Sequence, residues 1–228
     1  MEDIWKGFCT ALRLILSLDP EVIEISALSL RIAITSTLLS AFFCLPLGSI
    51  IHFNEFPGKR LFVNIIQTLY SVPTVVVGLF VFVMLSSTGP LGRLELLFTP
   101  TAIIIGQALL IAPILLGMTI SNLKSVDKSL ADTARSLGAG PIQMGIAVIK
   151  EARYSMISAM ALGFGRAVSE VGLAIMVGGN IKGFTRTLTT AISLETSKGN
   201  VELSMALGIV LLATALVVNT AANRFQQA

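Results

Sequence analysis

Charged residues are scarce in this sequence. Asp, Glu, Lys and Arg make up 13% of its 228 residues, whereas an ordinary soluble domain has about one quarter. Residues 32–51, 61–92, 96–123 and 203–223 contain no charge at all. A helix that crosses a bilayer needs roughly 20 mainly apolar residues, and each of these runs is long enough. The sequence therefore predicts an all-α integral membrane protein.

Histidine and cysteine are nearly absent as well. His52 is the only histidine, and Cys9 and Cys44 lie far apart. One histidine and two distant cysteines are too few for a disulfide framework or a His/Cys metal site, so we expect no metal and no cofactor on this chain. A phosphate-binding loop of the form GxxxxGK[ST] is also missing, so nucleotide hydrolysis would need another chain. The formal net charge of +3 is scattered among loops and predicts no nucleic-acid partner.

A further span is expected over residues 154–179, although Arg166 and Glu170 interrupt its apolar character. We therefore predict about five transmembrane helices in one domain over residues 1–228. The first follows Asp19-Pro20, an N-cap with proline at the first helical position. Basic residues cluster in two of the predicted connections, which favours the cytoplasmic side for both and places the N-terminus outside. These residues are Lys59, Arg60, Lys124, Lys128, Arg135, Lys150 and Arg153.

The first 18 residues contain apolar side chains at helical spacing but are too short to span. The side chains are those of Trp5, Phe8, Leu12, Ile15 and Leu16. Two interpretations stay open, a helix at the membrane interface and a helix packed against the spans.

A compact polar segment, residues 125–141, lies between two spans. Within it, residues 127–137 predict a short amphipathic helix whose apolar stripe is Leu130, Ala134 and Leu137. Ser129 and Asp132 have the spacing of a capping box, and Gly138 fits the position after the helix, with Gly140-Pro141 preventing continuation. Such a helix is either a plain surface element or a docking element for a soluble partner.

Asp132-Thr133-Ala134, followed after three residues by Gly138, resembles the EAA motif of ABC-importer permeases. Other blocks are similar to the tungstate branch of the molybdate/tungstate permeases. These are residues 72–78 (VPTVVVG), 87–92 (STGPLG), 98–102 (FTPTA), 165–181 (GRAVSEVGLAIMVGGNI) and 185–195 (TRTLTTAISLE). The sequence departs from the motif at Asp132 and Thr133, and it has Lys150-Glu151 where many members have Leu-Pro. These departures leave the detailed docking contacts open.

The resemblance implies a type I ABC importer permease in the cytoplasmic (inner) membrane. It implies a homodimer, cytoplasmic ATPase subunits that hold ATP and Mg, and an extracytoplasmic binding protein that delivers tungstate or a related oxyanion. The ATPase would dock on the coupling segment 125–141 through Leu130, Asp132, Ala134, Leu137 and Gly138. The resemblance implies no covalent chemistry on this chain.

Arg166 and Glu170 are spaced to share one face of an otherwise apolar span. A charge at the bilayer centre costs roughly 2.5–3.5 kcal/mol on insertion scales, so both must face protein or water. They are either a salt bridge that fixes packing or part of a gate. Pro46, Pro73 and Pro113 are each expected to kink a span, whether as static bends or as hinges.

The segment beyond the fourth span offers donors to a tetrahedral dianion. Backbone N–H groups come from Gly178, Gly179 and Asn180, and a cation comes from Arg186. Thr185, Thr189 and Thr190 add hydroxyls. The alternative is an ordinary glycine-rich turn followed by a polar re-entrant helix.

Three other functions compete with tungstate import. The first is a permease for molybdate, sulfate or another oxyanion. The second is a membrane-embedded enzyme that uses Glu170 with Arg166 as an acid/base pair, and the third is a passive anion channel. The enzyme has no plausible nucleophile and histidine set, and the predicted docking helix argues against the channel.

Overall fold

A computed structural model describes residues 2–227, and the side chains of residues 2–7, 11, 128, 131, 223 and 225–227 lie outside that description. Trp5, assigned to the apolar face of the N-terminal helix, is among them. Within residues 2–227 the chain forms eleven α-helices and two short 3-10 turns, with no β-strand. The all-α prediction is confirmed.

The helices follow in this order: α1 Glu2–Leu16, α2 Pro20–Phe53, α3 Lys59–Thr68, α4 Thr74–Leu85, α5 Pro100–Lys124, α6 Lys128–Ser136, α7 Pro141–Glu151, α8 Arg153–Val168, α9 Gly172–Gly178, α10 Leu188–Ser197 and α11 Val201–Gln227. The start of α2 is as predicted, because the Asp19 carboxylate accepts hydrogen bonds from the N–H groups of Glu21 and Val22. Thr99 caps α5 in the same way, through its hydroxyl.

The central contact of the fold joins α2 and α5, which run parallel. Ser36 donates to Gln107 Oε1 at 3.1 Å, and Ser40 donates to the Ala108 carbonyl at 2.6 Å. Further along both helices, Gly48 faces Thr119. Small side chains let the two backbones approach closely, which is the usual basis of helix packing in a bilayer.

Helix α8 packs against α5 in the opposite direction. Gln107 Nε2 donates to the Ala167 carbonyl at 2.9 Å, and near the other end Asn122 Nδ2 donates to the Ser155 carbonyl at 2.9 Å. Between these bonds the helices share an apolar cluster with α2 that includes the fully buried Leu115 and Ala159. Gln107 therefore links α2, α5 and α8 at one level of the bundle.

Three of the described helices are long and apolar enough to cross a membrane, namely α2, α5 and residues 201–222 of α11. Two further spans are each broken into a pair of helices, so that the total reaches five when each pair is counted once. At 34 residues, α2 extends about 51 Å, well beyond the roughly 30 Å hydrocarbon core of a bilayer.

The kink predicted at Pro73 is confirmed, and it is a complete break of the second span. Helices α3 and α4 meet at an angle of 97°, with a 3-10 turn over Leu69–Ser71 between them. Pro73 has no N–H to donate and disfavours a helical conformation at the residue before it, so Val72 is extended and α4 restarts after Pro73. Pro46 and Pro113, in contrast, lie inside the continuous helices α2 and α5.

The predicted fourth span is also broken, with an angle of 62° between α8 and α9. Residues 169–171 form the break, which coincides with the charged interruption noted in the sequence. Helix α10 follows after a loop, and α11 completes the bundle.

The N-terminal helix α1 packs against α11, and Leu14 and Ile15 contact the cluster that α2, α10 and α11 form. Leu16 on the other side is 82% exposed. The helix thus packs against a span along one face and leaves another face uncovered, so it combines features of both interpretations.

The close contact between α2 and α5 predicts that a larger side chain at position 48 destabilises the protein. A Cβ added there would lie 2.8 Å from Thr119 Cβ and 3.2 Å from the Leu116 carbonyl oxygen, which belongs to the backbone and cannot move aside. Gly48→Ala should cost about 1–3 kcal/mol through overpacking, seen as a lower melting temperature of the purified protein in detergent.

Gly208→Ala is the matched control, since a Cβ on Gly208 meets nothing within 4 Å. Equal melting temperatures for the two variants would contradict the close approach of α2 and α5.

Candidate functional site

The two broken spans meet at their breaks. A Cβ on Gly172 would lie 3.2 Å from Val75 Cγ2, and one on Gly78 would lie 3.0 Å from the Leu173 Cα. Helices α4 and α9 therefore start side by side and run parallel away from the breaks. Their apolar faces join in a cluster that includes Val81, Leu173 and Val177.

Glu170 occupies the break between α8 and α9 and is 3% exposed. Its Oε1 accepts a hydrogen bond from the Leu173 N–H at 3.1 Å, so the carboxylate satisfies a free donor in the first turn of α9. Its Oε2 lies 3.6 Å from Arg166 Nη1. Its backbone carbonyl accepts from the Thr189 hydroxyl at 2.7 Å. One residue thus joins α8, α9 and α10.

The structure brings Arg166 and Glu170 together, as the i, i+4 spacing predicts. The Arg166 side chain is 39% exposed while that of Glu170 is 3% exposed. An ion pair with one partner open to solvent contributes little to stability, typically about 0–1 kcal/mol. The buried hydrogen bond to the Leu173 N–H is the stronger constraint on Glu170, and the gate role of the pair stays a prediction.

The loop that follows α9 returns toward the breaks, and α10 begins there. The Leu188 N–H donates to Ser29 Oγ on α2 at 2.6 Å, and Thr189 bonds to Glu170 as described above. The N-terminus of α10 therefore lies against both α2 and the α8–α9 break. This geometry matches the alternative of a glycine-rich turn followed by a polar re-entrant helix.

The polar side chains proposed as anion donors bond to other groups of the chain. Thr185 Oγ1 donates to the Gly178 carbonyl and accepts from the Ile181 N–H, and Thr190 donates to Asn180 Oδ1 at 3.0 Å. Gly179 and Asn180 adopt left-handed backbone conformations, with φ of 71° and 51°. These groups hold the loop in shape, and whether they also meet an anion stays a prediction.

Arg186 lies near the end of the same loop and is 9% exposed. Its Nη1 is 3.6 Å from Glu21 Oε1, and the same oxygen accepts from Lys182 Nζ at 2.8 Å. The Nε of Arg186 is buried without a hydrogen-bond partner among the described residues. Glu21 therefore ties the start of α2 to the loop before α10 through two cations.

Helix α6 lies where the coupling segment was predicted, and its end is as expected. Gly138 has φ of 82°, and the Ala139 N–H donates to the Ala134 carbonyl at 3.0 Å, which satisfies a free carbonyl of the last turn. The predicted Ser129 and Asp132 capping box is wrong. The N-cap is Asp127, whose carboxylate accepts from the Ser129 N–H, and that bond lowers the pKa of Asp127.

The apolar stripe of α6 splits between the protein and the solvent. Leu130 packs against a cluster formed by Leu123 of α5 and residues of α7 and α8, and Ala134 is half-buried. Leu137 is 83% exposed, as are Ile142 and Ile146 of α7 at 79% and 60%. Asp132 is exposed, 3.9 Å from Arg135. Helices α6 and α7 thus present apolar side chains outside the spans. In the predicted orientation they lie beside the cytoplasmic ends of α5 and α8.

Sequence reasoning missed two contributors to this arrangement. Gln107, which links three helices, is one of two amides in the uncharged run 96–123, and its position in the middle of that run, away from Asn122 near the end, is the one signal that could have marked it. Helix α7 was missed because Gly140-Pro141 was interpreted only as a stop. Pro141 is instead the first residue of α7, and the Gly140 N–H donates to Gln143 Oε1.

The model of the family described as "binding-protein-dependent transport system inner membrane component" matches residues 44–228. The tungstate uptake system permease protein of Peptoclostridium acidaminophilum is 42% identical over 227 residues, which cover 100% of each chain. That of Campylobacter jejuni is 39% identical over 100% of this chain and 95% of its own. Among solved structures, an inward-facing MetNI methionine ABC transporter gives a TM-score of 0.71 at 18% identity, covering 93% of this chain and 95% of that one. The structural likeness shows the fold alone.

Two substitutions at Glu170 separate its two contacts. Glu170→Ala removes both and leaves the buried Leu173 N–H without an acceptor, so it should destabilise the protein by about 1–3 kcal/mol. Glu170→Gln keeps an oxygen for the Leu173 N–H and removes only the charge that faces Arg166, so its effect should be much smaller. Thermal unfolding in detergent measures both effects.

Arg166→Gln is the control, because it removes the ion pair while the cap of α9 stays intact. If Glu170→Gln and Arg166→Gln destabilise as strongly as Glu170→Ala, the ion pair and not the hydrogen bond holds the break.

Proposed function

The chain belongs to the family of binding-protein-dependent transport system inner membrane components, and from this premise we propose that it carries tungstate inward as the permease subunit of an ATP-driven importer. The observation that carries the substrate is the 42% identity to a tungstate uptake permease along the whole of both chains. The chain is a transport subunit and not the acid/base enzyme that Glu170 and Arg166 could suggest.

We propose three kinds of protein partner. The exposed Leu137, with the exposed Ile142 and Ile146 of the adjoining α7, supports a cytoplasmic ATPase that docks on residues 125–141 and holds ATP and Mg. The family description supports an extracytoplasmic binding protein. A second copy of this chain would cover α4, whose Val75, Leu79 and other apolar side chains are about half exposed, and the pathway would then follow the axis between the two copies. Membrane lipid surrounds the rest.

The packing of α6 connects the proposed docking site of the ATPase to the breaks in the two broken spans. Leu130 contacts Leu123 at the end of α5 and the α7–α8 junction, so movement of α6 would displace both helices. Helix α8 ends at the Glu170 break, where α9, α10 and the start of α4 converge. In this proposal ATP-driven closure of the ATPase pair shifts the population between inward-open and outward-open arrangements of the two broken spans. Arg166 and Glu170 form the gate.

The loop from Gly178 through Asn180 to Thr185 and Arg186 lies at the outer end of α9, where an anion delivered from outside would arrive. We place the N-terminus outside, since Lys59, Lys124 and Arg153 lie at the end of the bundle where α2 and α5 finish and α8 begins. The complex would lie in the cytoplasmic (inner) membrane as a multi-pass assembly.

Uptake into proteoliposomes tests the proposal. The vesicles contain this chain with its ATPase and binding protein, and tungstate uptake is measured with molybdate and sulfate as competitors. We expect uptake that requires ATP and resists both competitors. Uptake without ATP would indicate a channel, and uptake that molybdate or sulfate abolishes would overturn the substrate while the importer mechanism stands.

The coupling segment predicts a second result in the same vesicles. Gly138→Val forces a β-branched residue to φ of 82°, at a cost of about 1–2 kcal/mol or more, and so disturbs the end of α6. ATP hydrolysis should continue while tungstate uptake falls several-fold.

Gly140→Val is the matched control, because Gly140 has φ of −69° and ψ of 167°, which valine adopts readily, and a Cβ there meets nothing within 4 Å. Normal uptake per ATP in Gly138→Val would argue against docking at this helix end.

A further inference from the structure

A polar cleft of about 660 Å³ lies between the C-terminal ends of α2 and α5 and the helix α3. Its polar lining comes from His52 and Glu55 near the end of α2, from four residues of α3 and from Lys124 at the end of α5. The α3 residues are Lys59, Arg60, Asn64 and Gln67. Three other cavities among the described residues are lined almost wholly by apolar side chains, as grooves on spans that face lipid are expected to be, so this cleft differs from them in chemistry.

The cleft carries a net positive charge. Three cations and one carboxylate line it, which leaves two positive charges when His52 is neutral. Lys59 is 18% exposed and donates to Glu55 Oε1 and to the His52 carbonyl, both at 2.9 Å. These bonds hold Lys59 in the wall, and the same Lys59 bond lowers the pKa of the Glu55 carboxyl.

Arg60 and Lys124 are the two cations of the cleft that the fold leaves free. Neither side chain has a hydrogen bond or an ion pair with any residue that the structure describes, although Arg60 is near enough to Glu55 to contribute to the lowered pKa of that carboxyl. They approach the cleft from different helices, α3 and α5, and the amides of Asn64 and Gln67 line the space near them. A fork-shaped guanidinium, an ammonium and two amides are a donor set suited to the several oxygens of a tetrahedral anion.

The helix ends act on an anion in opposite directions. Helix α3 begins at Lys59 after Gly58, and no side chain caps it, so its N-terminus favours negative charge in the cleft. The C-terminus of α5 and the Glu55 carboxylate oppose it. Glu55 is 87% exposed and already paired with Lys59, which weakens that opposition.

The cleft lies at the level where a span meets the cytoplasm in the proposed orientation. Ile66 of α3 packs on Ile51 and Ile120, and Ile120 also lines the cleft. Leu61 and Ile65, on another face of α3, are 66% and 49% exposed. An amphipathic helix with this distribution is suited to the headgroup region, where a lipid phosphate and a free ion can both reach the cations.

We propose that this cleft binds a tetrahedral oxyanion of two negative charges, held by Arg60 and Lys124 with Asn64 and Gln67. The source is either the phosphomonoester headgroup of an anionic lipid or a free oxyanion in the cytoplasm. A bound anion would bridge α3, the first half of a broken span, to the residue that immediately precedes the coupling segment 125–141. The site can be present whether or not the chain carries tungstate.

The test compares three forms of the full chain in nanodiscs of phosphatidylcholine. These are the wild type, the cleft variant Arg60→Gln/Lys124→Gln, and the control Lys150→Gln/Arg224→Gln, which removes two exposed cations elsewhere. In one arm, equilibrium dialysis measures binding of radiolabelled inorganic phosphate. In the other, the nanodiscs contain some phosphatidic acid, and native mass spectrometry counts the phosphatidic acid retained per chain.

We expect the cleft variant to bind one of the two probes on the order of tenfold more weakly than both the wild type and the control, as removal of two charge-assisted hydrogen bonds implies. Selective loss of phosphate binding identifies a free oxyanion, and selective loss of phosphatidic acid identifies a lipid headgroup. Equal binding by all three forms in both arms, or a wild type that binds neither probe, overturns the proposal.

A second variant keeps the test decisive if the double variant does not fold. Asn64→Leu retains both cations and removes one amide donor, so it should weaken the same probe by a smaller factor. Binding by Asn64→Leu that equals wild type, when the double variant elutes as an aggregate, counts against the site. Tungstate uptake is not a readout here, so failure of this proposal is distinct from failure of the transport proposal.

Discussion

In a bilayer, a broken helix leaves backbone N–H and carbonyl groups that no water can satisfy, and every break must find its partners within the protein. The Glu170 carboxylate meets this constraint between α8 and α9 by accepting the Leu173 N–H. Its backbone carbonyl accepts from Thr189, which also draws α10 toward the break. Because α9 packs along α4, the geometry of the first broken span depends on the same residue.

The bundle divides into a close-packed part and an interrupted part. Helices α2, α5 and α8 are joined by Ser36, Gln107 and the Ala167 carbonyl, and small side chains let them approach closely. The interrupted part, α3 with α4 and α9 with α10, is held by breaks and short helices. Close packing resists continuous deformation, whereas an element with a break can adopt a second arrangement at lower cost. The proposed gate therefore lies in the interrupted part.

The two ends of the bundle differ in how their charged side chains are paired. At the outer end, Glu21 pairs with Lys182 and Arg186 and fastens α2 to the loop before α10. At the other end, Arg60 and Lys124 line an open cleft beside the coupling segment, and no carboxylate neutralises them directly. At this end Lys59 is paired with Glu55, whereas Arg60 and Lys124 have no ion pair with any residue that the structure describes.

The sequence by itself determined the membrane character, the start of α2, the end of α6 and the family. Uncharged runs, Asp19-Pro20 and Gly138 act locally, through hydropathy, caps and backbone conformation, which need no distant partner. Only the tertiary structure decided that the second span breaks completely at Pro73 while α2 and α5 stay continuous through their own prolines. It also decided that Thr189 bonds to Glu170 and that Arg60 meets Lys124 across a cleft. These outcomes depend on contacts between residues far apart in the chain, and helical periodicity carries no information about them.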